Sequence, residues 1–508
     1  MRQKVIIIGA GIGGLATANL LAKAGYEVHV LEKAQTPGGR AGQKVRSGFR
    51  FDTGPSWYLM PGVFEHYFGL LGRSVSDCLT LTRLSPAYKV FYENTPALTI
   101  TGDLATDAAT FEQIEPGAGR ALRRYVKQSD QIYALSLQYF LYSNFARKRE
   151  LLAPAIVRRS ASLLRHAFRS IDSYVSTFVT DRRLKQILEY PTVFLGTSPY
   201  SAPSLYSLMS ALDFKEGVYY PEGGLYAIIQ SLETLGRELG VTYHYGTKVT
   251  RILTHNHVAV GVLTTEHGSI SADIVISNAD LHFTETQLLE PHEQTYPDTY
   301  WKQIESSPSA LLMYIGIKGN LPQLEHHNLL FVDDWKQNFD AIFVHKTIPP
   351  KASIYICKPS ASDRQVAPNG SENIFVLVPL PSGVTINAAE ITRLQHHYLQ
   401  QIKAMTGADL TRNVVVSETY GPNDFSHDFY SRQGSMLGSS HLLKQSAFFR
   451  TSNMSKKVKN LYYVGANTTP GVGLPMCLIS AELIYKRLAG DSRGGRVTQI
   501  SQLSGGET

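Results

Sequence analysis

The beginning of the chain carries the feature that most constrains its fold. An apolar, β-branched run at residues 5–8 leads into a glycine-rich segment from Gly9 to Gly14, and a helix-forming segment follows at residues 15–22. An apolar run without polar alternation predicts a parallel strand that is covered on both faces. Glycines in the order G-x-G-x-x-G between a strand and a helix predict a tight turn. A pyrophosphate can approach the backbone of such a turn, at the N-terminus of the helix.

A second predicted strand makes this motif specific. The chain has 41 glycines in 508 residues, so a chance match to the motif alone is plausible. Residues 27–31 are predicted to form a second strand, and Glu32 follows it near the spacing that a βαβ dinucleotide-binding unit requires. A carboxylate in this place accepts hydrogen bonds from the ribose hydroxyls of an adenosine. The first 32 residues therefore predict a site for an adenine dinucleotide.

Composition bounds the class of protein. A hydrophobic content of 43% over 508 residues allows a large core and predicts two interleaved domains. The cysteines Cys78, Cys357 and Cys477 lie far apart, which argues against a disulfide framework or a zinc site and favours a reducing cytosol. The paired histidines at 326–327 and 396–397 lack ligand spacing, so we predict surface positions for them and no metal site. We expect no secretory signal and no membrane-spanning segment.

Basic residues are concentrated in one segment between residues 147 and 169. Apolar side chains are interspersed among them, and the net charge of the whole chain is +7. This pattern suits a segment in the headgroup region of an anionic membrane, or a solvated helical face on a cap domain. No nucleic-acid-binding module accompanies the charge, so we expect no nucleic-acid partner. The basic residues of the segment are Arg147, Lys148, Arg149, Arg158, Arg159, Arg165 and Arg169.

The order of patterns along the chain predicts an α/β fold. A Rossmann-like nucleotide-binding domain is assembled from discontinuous segments, at residues 1–65, 219–285 and 440–490. An inserted α+β substrate domain with a helical, membrane-facing cap takes residues 66–218 and 286–439, and residues 491–508 form a disordered tail. Glu222 begins a predicted helix, where it is either a helix-capping carboxylate or a proton acceptor.

Several segments together are similar to one known family. Gly9–Gly14, Glu32, Gly38–Arg40, residues 52–55 and the closing loop from Gly465 to Pro475 resemble the bacterial-type carotenoid desaturases. These enzymes belong to the flavin amine oxidase and phytoene desaturase superfamily. The resemblance extends to about residue 490. It is greatest to dehydrosqualene (4,4′-diapophytoene) desaturase, on residues 203–207, 310–317, 421–425 and 445–446.

The resemblance implies FAD as the cofactor and assigns roles to residues. The glycine turn cradles the pyrophosphate, Glu32 holds the adenosine ribose, and Arg40 pairs with a phosphate. Val249 offers its backbone to the adenine, while the loops at 54–56 and 465–475 approach the isoalloxazine ring. The predicted FAD-binding residues are Gly9, Ala10, Gly11, Ile12, Gly13, Gly14, Glu32, Lys33, Gly39, Arg40, Gly54, Pro55, Ser56, Val249, Gly465, Ala466, Gly473, Leu474 and Pro475.

The implied reaction is the desaturation of a linear C30 or C40 isoprenoid, dehydrosqualene or phytoene, in carotenoid biosynthesis. We expect a cytoplasmic enzyme attached to the inner face of the cell membrane, with oxygen or a quinone as its electron acceptor. The cofactor carries the chemistry, and the sequence names no catalytic residue. Two departures from the family pattern, Thr469 and Met476-Cys477, leave other outcomes open. These are a different chain length of the substrate and oxidation of a terminal methyl group by a carotenoid oxidase. Isoprenoid binding without catalysis is a separate alternative, and the intact glycine motif, Glu32 and the closing loop argue against it.

Overall fold

The computed structural model describes residues 2–145, 158 and 164–503. The strands of this part are β1 (Lys4–Ile8), β2 (Glu27–Glu32), β3 (Gln43–Arg46), β4 (Phe49–Asp52), β5 (Leu81–Arg83), β6 (Tyr88–Tyr92), β7 (Leu98–Ile100), β8 (Tyr219–Pro221), β9 (Thr242–Tyr245), β10 (Val249–His255), β11 (Val258–Thr264), β12 (Gly268–Ser271), β13 (Ile274–Ser277), β14 (Ser309–Lys318), β15 (His327–Phe331), β16 (Ile354–Cys357), β17 (Ser371–Leu380), β18 (Val414–Tyr420) and β19 (Leu461–Tyr463). The α-helices are α1 (Ile12–Lys23), α2 (Pro61–Leu70), α3 (Leu104–Ile114), α4 (Ala118–Ser136), α5 (Ile171–Val175), α6 (Arg182–Glu189), α7 (Leu208–Ala211), α8 (Tyr226–Glu238), α9 (Leu281–Gln287), α10 (Asp298–Trp301), α11 (Trp335–Phe343), α12 (Ala388–Thr406), α13 (Pro422–Phe429) and α14 (Leu474–Leu488).

A five-stranded parallel sheet forms the centre of the nucleotide-binding part. Its strand order is β19-β13-β1-β2-β9, so strands from both ends and the middle of the chain lie side by side. Strand β1 lies in the middle of this sheet, and its side chains divide between two cores. Val5 and Ile7 pack among α1, α8 and α14, whereas Ile6 and Ile8 pack against the three-stranded sheet β10-β11-β12. The predicted parallel strand with two covered faces is confirmed.

A seven-stranded mixed sheet is the second large sheet of the structure. Its order is β18-β14-β17-β16-β15-β6-β7, and the β15–β6 pair is parallel. Helix α12 packs on one face through an apolar cluster that includes Leu394, Tyr398 and Ile402. The ribbon β3-β4 packs on part of the other face through Phe49 and Phe51. The architecture is the predicted α/β fold with a Rossmann-like part, while the exact domain boundaries stay a prediction.

The inserted helical region follows strand β5 in the chain and ends before strand β8. Helices α3 to α7 lie in the chain between strands β5 and β8, which pair with each other in a two-stranded sheet. Most of the basic segment, including Arg147, Lys148, Arg149 and Arg159, lies outside the described residues. In the part of the chain that the structure describes, no helix combines the length and the apolar composition needed to cross a bilayer.

Residues 491–503, the first part of the predicted disordered tail, make defined hydrogen bonds to the rest of the chain. The backbone N–H of Val497 donates to the Glu482 carboxylate at 2.6 Å, and the N–H of Leu503 donates to the carbonyl of Ala24 at 2.9 Å. These bonds fasten the segment to α14 and to the end of α1. The Gly, Ser and Arg content of the segment predicts disorder. In the structure, Val497 is part of the core cluster, and Ile500 and Leu503 pack against it.

Candidate functional site

One large cavity joins the parallel sheet to the seven-stranded sheet. Its volume is about 1420 Å³, which exceeds the roughly 300–1,000 Å³ typical of a site for one small molecule. The glycine turn and the end of β2 line one part of it. Apolar and aromatic side chains line the other part. The cavity therefore has room for a dinucleotide together with a second, apolar molecule.

The glycine turn is held by close backbone contacts. Gly9 directly follows β1 and has a φ of +96°, which side-chain-bearing residues rarely adopt. A Cβ on Gly14 would lie 2.2 Å from the carbonyl oxygen of Gly9, so only glycine lets α1 begin this near the strand. Helix α1 begins after Gly11 without a side-chain cap, and its first N–H groups lie at the cavity, which Gly11, Ile12 and Gly13 line. This is the geometry that receives a pyrophosphate.

Glu32 closes the turn from the neighbouring strand. Its Oε2 accepts a hydrogen bond from the N–H of Ala10 at 2.7 Å, and its Oε1 accepts one from Ala34 at 2.8 Å. Each carboxylate oxygen keeps a second lone pair, so the group can still accept from ribose hydroxyls. Lys33 follows it and places its Nζ 3.7 Å from the centre of the Tyr430 ring.

Arg40 offers unused donors to the cavity. One of its terminal nitrogens donates to the Ser431 Oγ at 2.9 Å and lies 3.9 Å from the Asp280 carboxylate. Its Nε is buried and has no hydrogen-bond partner among the described residues. A buried, unpaired guanidinium N–H calls for an acceptor, and a phosphate oxygen is the matching group. The residues present therefore fit a dinucleotide phosphate at this position.

Two loops complete the dinucleotide part. Gly54, Pro55 and Ser56 line the cavity, and the Ser56 Oγ lies 2.7 Å from the hydroxyl of Tyr355. In the closing loop, Ala466 and the residues from Val472 to Cys477 line the cavity. Helix α14 begins after Gly473, and no side chain caps it within the described part of the chain. Its first N–H groups are therefore free to interact with an electron-rich ring edge.

Asn278 is a site residue that the sequence analysis missed. It follows strand β13, and its side-chain oxygen accepts from the N–H of Gly14 at 2.9 Å, while its nitrogen donates to the carbonyl of Val464 at 3.0 Å. One amide thus joins the glycine turn to the closing loop. The signal was available, because polar residues at the carboxyl end of a buried parallel strand are expected at the ligand-binding edge of the sheet.

Asp280 was missed for the same reason. It caps α9 by accepting from the N–H groups of His282 and Phe283, and its second oxygen accepts from Asn467 of the closing loop at 2.8 Å. Burial raises the pKa of this carboxyl, and the charge of Arg40 opposes the effect. Asp280 therefore holds the closing loop and Arg40 beside the same stretch of the cavity.

Val249 begins strand β10 at the other end of the dinucleotide part. It is buried and lines the cavity together with Lys248. Nearby, the rings of Phe283 and Tyr430 stack with centroids 4.0 Å apart and an interplanar angle of 11°. Both aromatic residues line the cavity, and neither was singled out from the sequence. They supply flat surfaces near the position predicted for adenine.

The residues predicted to bind the cofactor lie at the cavity wall or directly behind it. All of the predicted cofactor residues line the cavity except Ala10, Gly14 and Gly465. Ala10 contacts Glu32 through its backbone, and Gly14 packs behind the turn. Gly465 donates its N–H to the Ser480 hydroxyl at 3.1 Å, which fixes the start of the closing loop. These three residues shape the site from behind.

His441 packs against the closing loop at Val472. Its Nε2 accepts from the N–H of Val472 at 3.3 Å, and its Nδ1 lies 3.2 Å from the hydroxyl of Tyr206. Burial holds the pKa of His441 well below its usual value, so the imidazole is neutral. Thr469 of the closing loop is one of the departures from the family pattern. His441 is a histidine that reaches this loop from a different segment.

Apolar side chains from distant segments line the rest of the cavity. They come from the helical region, from α11 and from the strands of the seven-stranded sheet, and they leave few polar atoms to hydrate. Such a surface suits a long hydrocarbon and excludes water. Residues of this wall include Leu135, Phe140, Val193, Phe194, Leu205, Met209, Leu312, Phe331, Trp335, Phe339, Phe343 and Leu377.

Two predictions about side chains outside the motif are corrected. Glu222 is exposed and bonds to the amide of Gln365, whereas the carboxylate at the start of α8 is Asp52, which accepts from Leu225 at 2.8 Å and Tyr226 at 3.1 Å. The pair His326 and His327 is buried, not at the surface, because β15 lies inside the seven-stranded sheet. His396 and His397 are exposed as predicted.

The glycine turn, Arg40 and the closing loop define a class of dinucleotide-binding oxidoreductase. The chain belongs to the family of flavin-containing amine oxidoreductases, whose model matches residues 12–483. It is 40% identical to a carotenoid 3,4-desaturase of Haloarcula japonica, over 96% of this chain and 98% of that protein. It is 36% identical to a ζ-carotene-forming phytoene desaturase of Myxococcus xanthus, over 96% and 94%.

A third relative and a solved structure complete the comparison. The chain is 30% identical to a 4,4′-diapophytoene desaturase of Staphylococcus aureus, over 97% of this chain and 100% of that protein. An oxidoreductase structure from Methanosarcina mazei matches with a TM-score of 0.61 at 17% identity, over 95% of this chain and 99% of that one. The fold and the expected FAD cofactor are confirmed at the level of the family.

Proposed function

We propose that the chain is an FAD-dependent desaturase of a linear C30 or C40 isoprenoid. One observation carries this proposal: a single cavity is lined by the glycine turn and Arg40 in one part and by a continuous apolar wall in the other. The names of the relatives, which are carotenoid, phytoene and diapophytoene desaturases, support the class of substrate. Bound FAD would accept a hydride from an allylic carbon of the substrate, and the neighbouring carbon would lose a proton to form the double bond. The cofactor supplies this redox chemistry, which the protein residues themselves do not perform.

The residues of the chain would bind, orient and dry the reactants. The N–H groups at the start of α1 and the unpaired Nε of Arg40 would hold the pyrophosphate, and Glu32 would accept from the ribose. The start of α14 would face the ring system of the cofactor. Leu312 and Leu377, on adjacent strands of the sheet, would hold the polyene in place and keep water from a developing allylic cation.

The rim of the cavity supports a membrane-bound mode of action. Leu164, Phe168, Phe448 and Phe449 line the cavity, yet each exposes more than half of its surface. Exposed aromatic side chains beside exposed arginines such as Arg165 suit the headgroup region of an anionic bilayer. We infer that the enzyme attaches here to the inner face of the cell membrane and takes its substrate directly from the lipid.

Vesicle binding tests the membrane proposal. The double variant Phe448→Ser/Phe449→Ser should bind vesicles containing anionic lipid at least several-fold more weakly than the wild type, with its FAD content unchanged. Val415→Ser is a matched control, because Val415 is 52% exposed and does not line the cavity. Equal vesicle binding by the double variant and the control would contradict attachment through this rim.

The electron acceptor is proposed to be oxygen or a quinone. The sequence holds no second strand–GxGxxG–helix unit for a nicotinamide dinucleotide, and quinones are available in the membrane. Anaerobic turnover should therefore occur with a soluble quinone and not with NAD⁺. Turnover with NAD⁺ alone would overturn this part of the proposal.

Product analysis tests the proposed reaction. The chain is expressed in cells that accumulate phytoene or dehydrosqualene, and the pigments are examined by absorbance and mass. A desaturase yields products lighter by two hydrogens per step with longer-wavelength absorbance, and Arg40→Ala should yield much less. Products that gain oxygen would favour terminal oxidation, the reaction suggested by a 30% identical relative named 4,4′-diapolycopene oxygenase. Unchanged precursor together with colourless purified protein would support isoprenoid binding without catalysis.

A further inference from the structure

Two histidines and a cysteine form a buried cluster behind the wall of the cavity. His327 begins β15, and the antiparallel register places it directly opposite Cys357, the last residue of β16. His326 precedes it in the chain. One nitrogen of each imidazole and the Cys357 Sγ all lie within 4.8 Å of one another. His326, His327 and Cys357 expose only 3%, 0% and 2% of their surfaces, so bulk solvent hardly contacts them.

The hydrogen bonds of the two histidines are incomplete in the same way. The Nδ1 of His326 lies 2.9 Å from the Ser362 Oγ, and the Nδ1 of His327 lies 2.7 Å from the Tyr355 hydroxyl. The Nε2 atoms of both rings are buried and have no partner among the described residues. A buried polar atom without a partner is costly, and a water or an ion absent from a structure is a common explanation.

The arrangement has the form of a metal site with outer-shell support. A metal-binding histidine uses one ring nitrogen as the ligand and donates the N–H of the other to an oxygen, which fixes the ring. Here Ser362 and Tyr355 are in place to accept from Nδ1, and this leaves both Nε2 lone pairs for an ion. We propose that His326, His327 and Cys357 bind one thiolate-preferring metal ion, Cu⁺ or Zn²⁺.

The donor set selects this class of ion. Imidazole nitrogen and thiolate sulfur are the ligands of Zn²⁺ and copper, whereas Mg²⁺ and Ca²⁺ require oxygen donors. One thiolate balances the charge of Cu⁺, which suits a site without access to water. The charge of the nearby Lys358 disfavours a cation at His326, but its Nζ lies 3.7 Å from the Glu372 carboxylate and donates to the carbonyl of Leu321.

The distances require only a small closure of the cluster. Metal–nitrogen and metal–sulfur bonds of about 2.0 and 2.3 Å place the donors around one ion roughly 3.3–3.7 Å apart. A bound ion would therefore draw the donors together by about 1 Å from their present spacing of up to 4.8 Å.

An ion here would stiffen the wall of the cavity. The Trp57 ring stacks on His327 with centroids 4.1 Å apart and an angle of 8°, and Tyr355 bonds to His327. Trp57 and Tyr355 both line the cavity. The ion would fix these two side chains from behind without contacting the substrate, and its binding does not depend on which reaction the cavity performs.

Metal binding by the full-length, FAD-loaded protein tests the proposal. The reduced protein is stripped with a chelator and titrated anaerobically with Cu⁺, and separately with Zn²⁺, against a coloured competitor. The wild type should retain one equivalent of either ion. Cys357→Ser and His327→Gln should each weaken retention at least 100-fold. Cys78→Ser and His396→Gln serve as controls and should retain the ion fully. X-ray absorption of the loaded wild type should report one sulfur and two nitrogen ligands.

Two outcomes would overturn the inference. The first is a wild type that retains neither ion, which would mean that the unpaired atoms hold water at most. The second is undiminished retention by Cys357→Ser. Thermal unfolding of each variant establishes that it is folded, and the milder His326→Gln variant provides a second measurement if Cys357→Ser does not fold.

Discussion

The glycine turn and the apolar wall face one cavity but keep their shapes by different means. In the turn, backbone meets backbone: Gly14 approaches Gly9, and Asn278 joins both to the closing loop. In the wall, side chains such as Val193 set the shape by their size, and some of them are only partly buried. The turn should therefore tolerate almost no change, whereas the wall can be reshaped without loss of the fold.

The largest effect is expected at Gly14. In Gly14→Val the new Cβ would meet the carbonyl oxygen of Gly9 at 2.2 Å, so α1 must move away from the strand and the phosphate site opens. Purified Gly14→Val should hold less than a tenth of the FAD of the wild type, measured by absorbance per chain. Gly69→Ala is the control, because nothing lies within 4 Å of its added Cβ. Normal FAD content in Gly14→Val would mean that the turn does not hold the pyrophosphate.

Arg40→Ala should have the next largest effect. A charge-assisted hydrogen bond is worth about 1.5–3 kcal/mol, so loss of the guanidinium should weaken FAD binding about 10- to 100-fold. Arg40→Lys should recover part of the loss, since lysine keeps the charge but not the fork of donors. Arg46→Ala removes an exposed arginine that pairs with Glu418 and should leave FAD binding unchanged. Equal dissociation constants for Arg40→Ala and Arg46→Ala would exclude a phosphate contact.

Val193→Trp tests the prediction that the apolar wall can be reshaped without loss of the fold. The larger side chain would fill part of the apolar cavity, so turnover of the isoprenoid should fall about tenfold while FAD content stays normal. Val193→Ala should keep both properties and alter the distribution of desaturated products. Loss of FAD from Val193→Trp would show that the two parts of the cavity are not independent.

The two parts also differ in how far the sequence predicts them. The strand, turn, helix and Glu32 of the nucleotide corner lie within 32 consecutive residues, so local spacing was enough. The apolar wall is drawn from helices and strands that meet only through the order of the seven-stranded sheet, and no local pattern reports that order. Asn278 falls between these cases, because it follows a short apolar run at residues 274–276, but no local pattern reports its hydrogen-bond partners.

Burial of polar groups was the least predictable property. His326 and His327 precede or begin a strand whose central place in the sheet depends on pairing with β6, more than 230 residues earlier in the chain. Likewise, the carboxylate that caps α8 comes from Asp52 on a distant ribbon and not from the nearby Glu222. In both examples the outcome depends on a contact between residues far apart in the chain, which local sequence patterns do not report.

The smallest predicted effect concerns Asp52, which connects the β3-β4 ribbon to helix α8. It ends the ribbon that packs on the seven-stranded sheet and caps α8 beside the parallel sheet. Burial raises the pKa of Asp52 to about 7, from an ordinary value of 3.8. Because the folded pKa lies above the unfolded one, the stabilisation from protonated Asp52 is complete below about pH 4 and is lost as the pH rises through 7.

Asp52→Asn keeps a carbonyl oxygen for the cap and cannot ionise. Its Tm should therefore fall less than that of the wild type between pH 5 and pH 8, by a few degrees. The matched control is Asp103→Asn at the exposed cap of α3, where hydrogen bonds from Thr106 lower the pKa of the carboxyl. That variant should lose stability at neutral pH and none in acid, which is the opposite slope. If the curves of Tm against pH were parallel for the two variants, burial of Asp52 between the β3-β4 ribbon and α8 would not govern its ionisation.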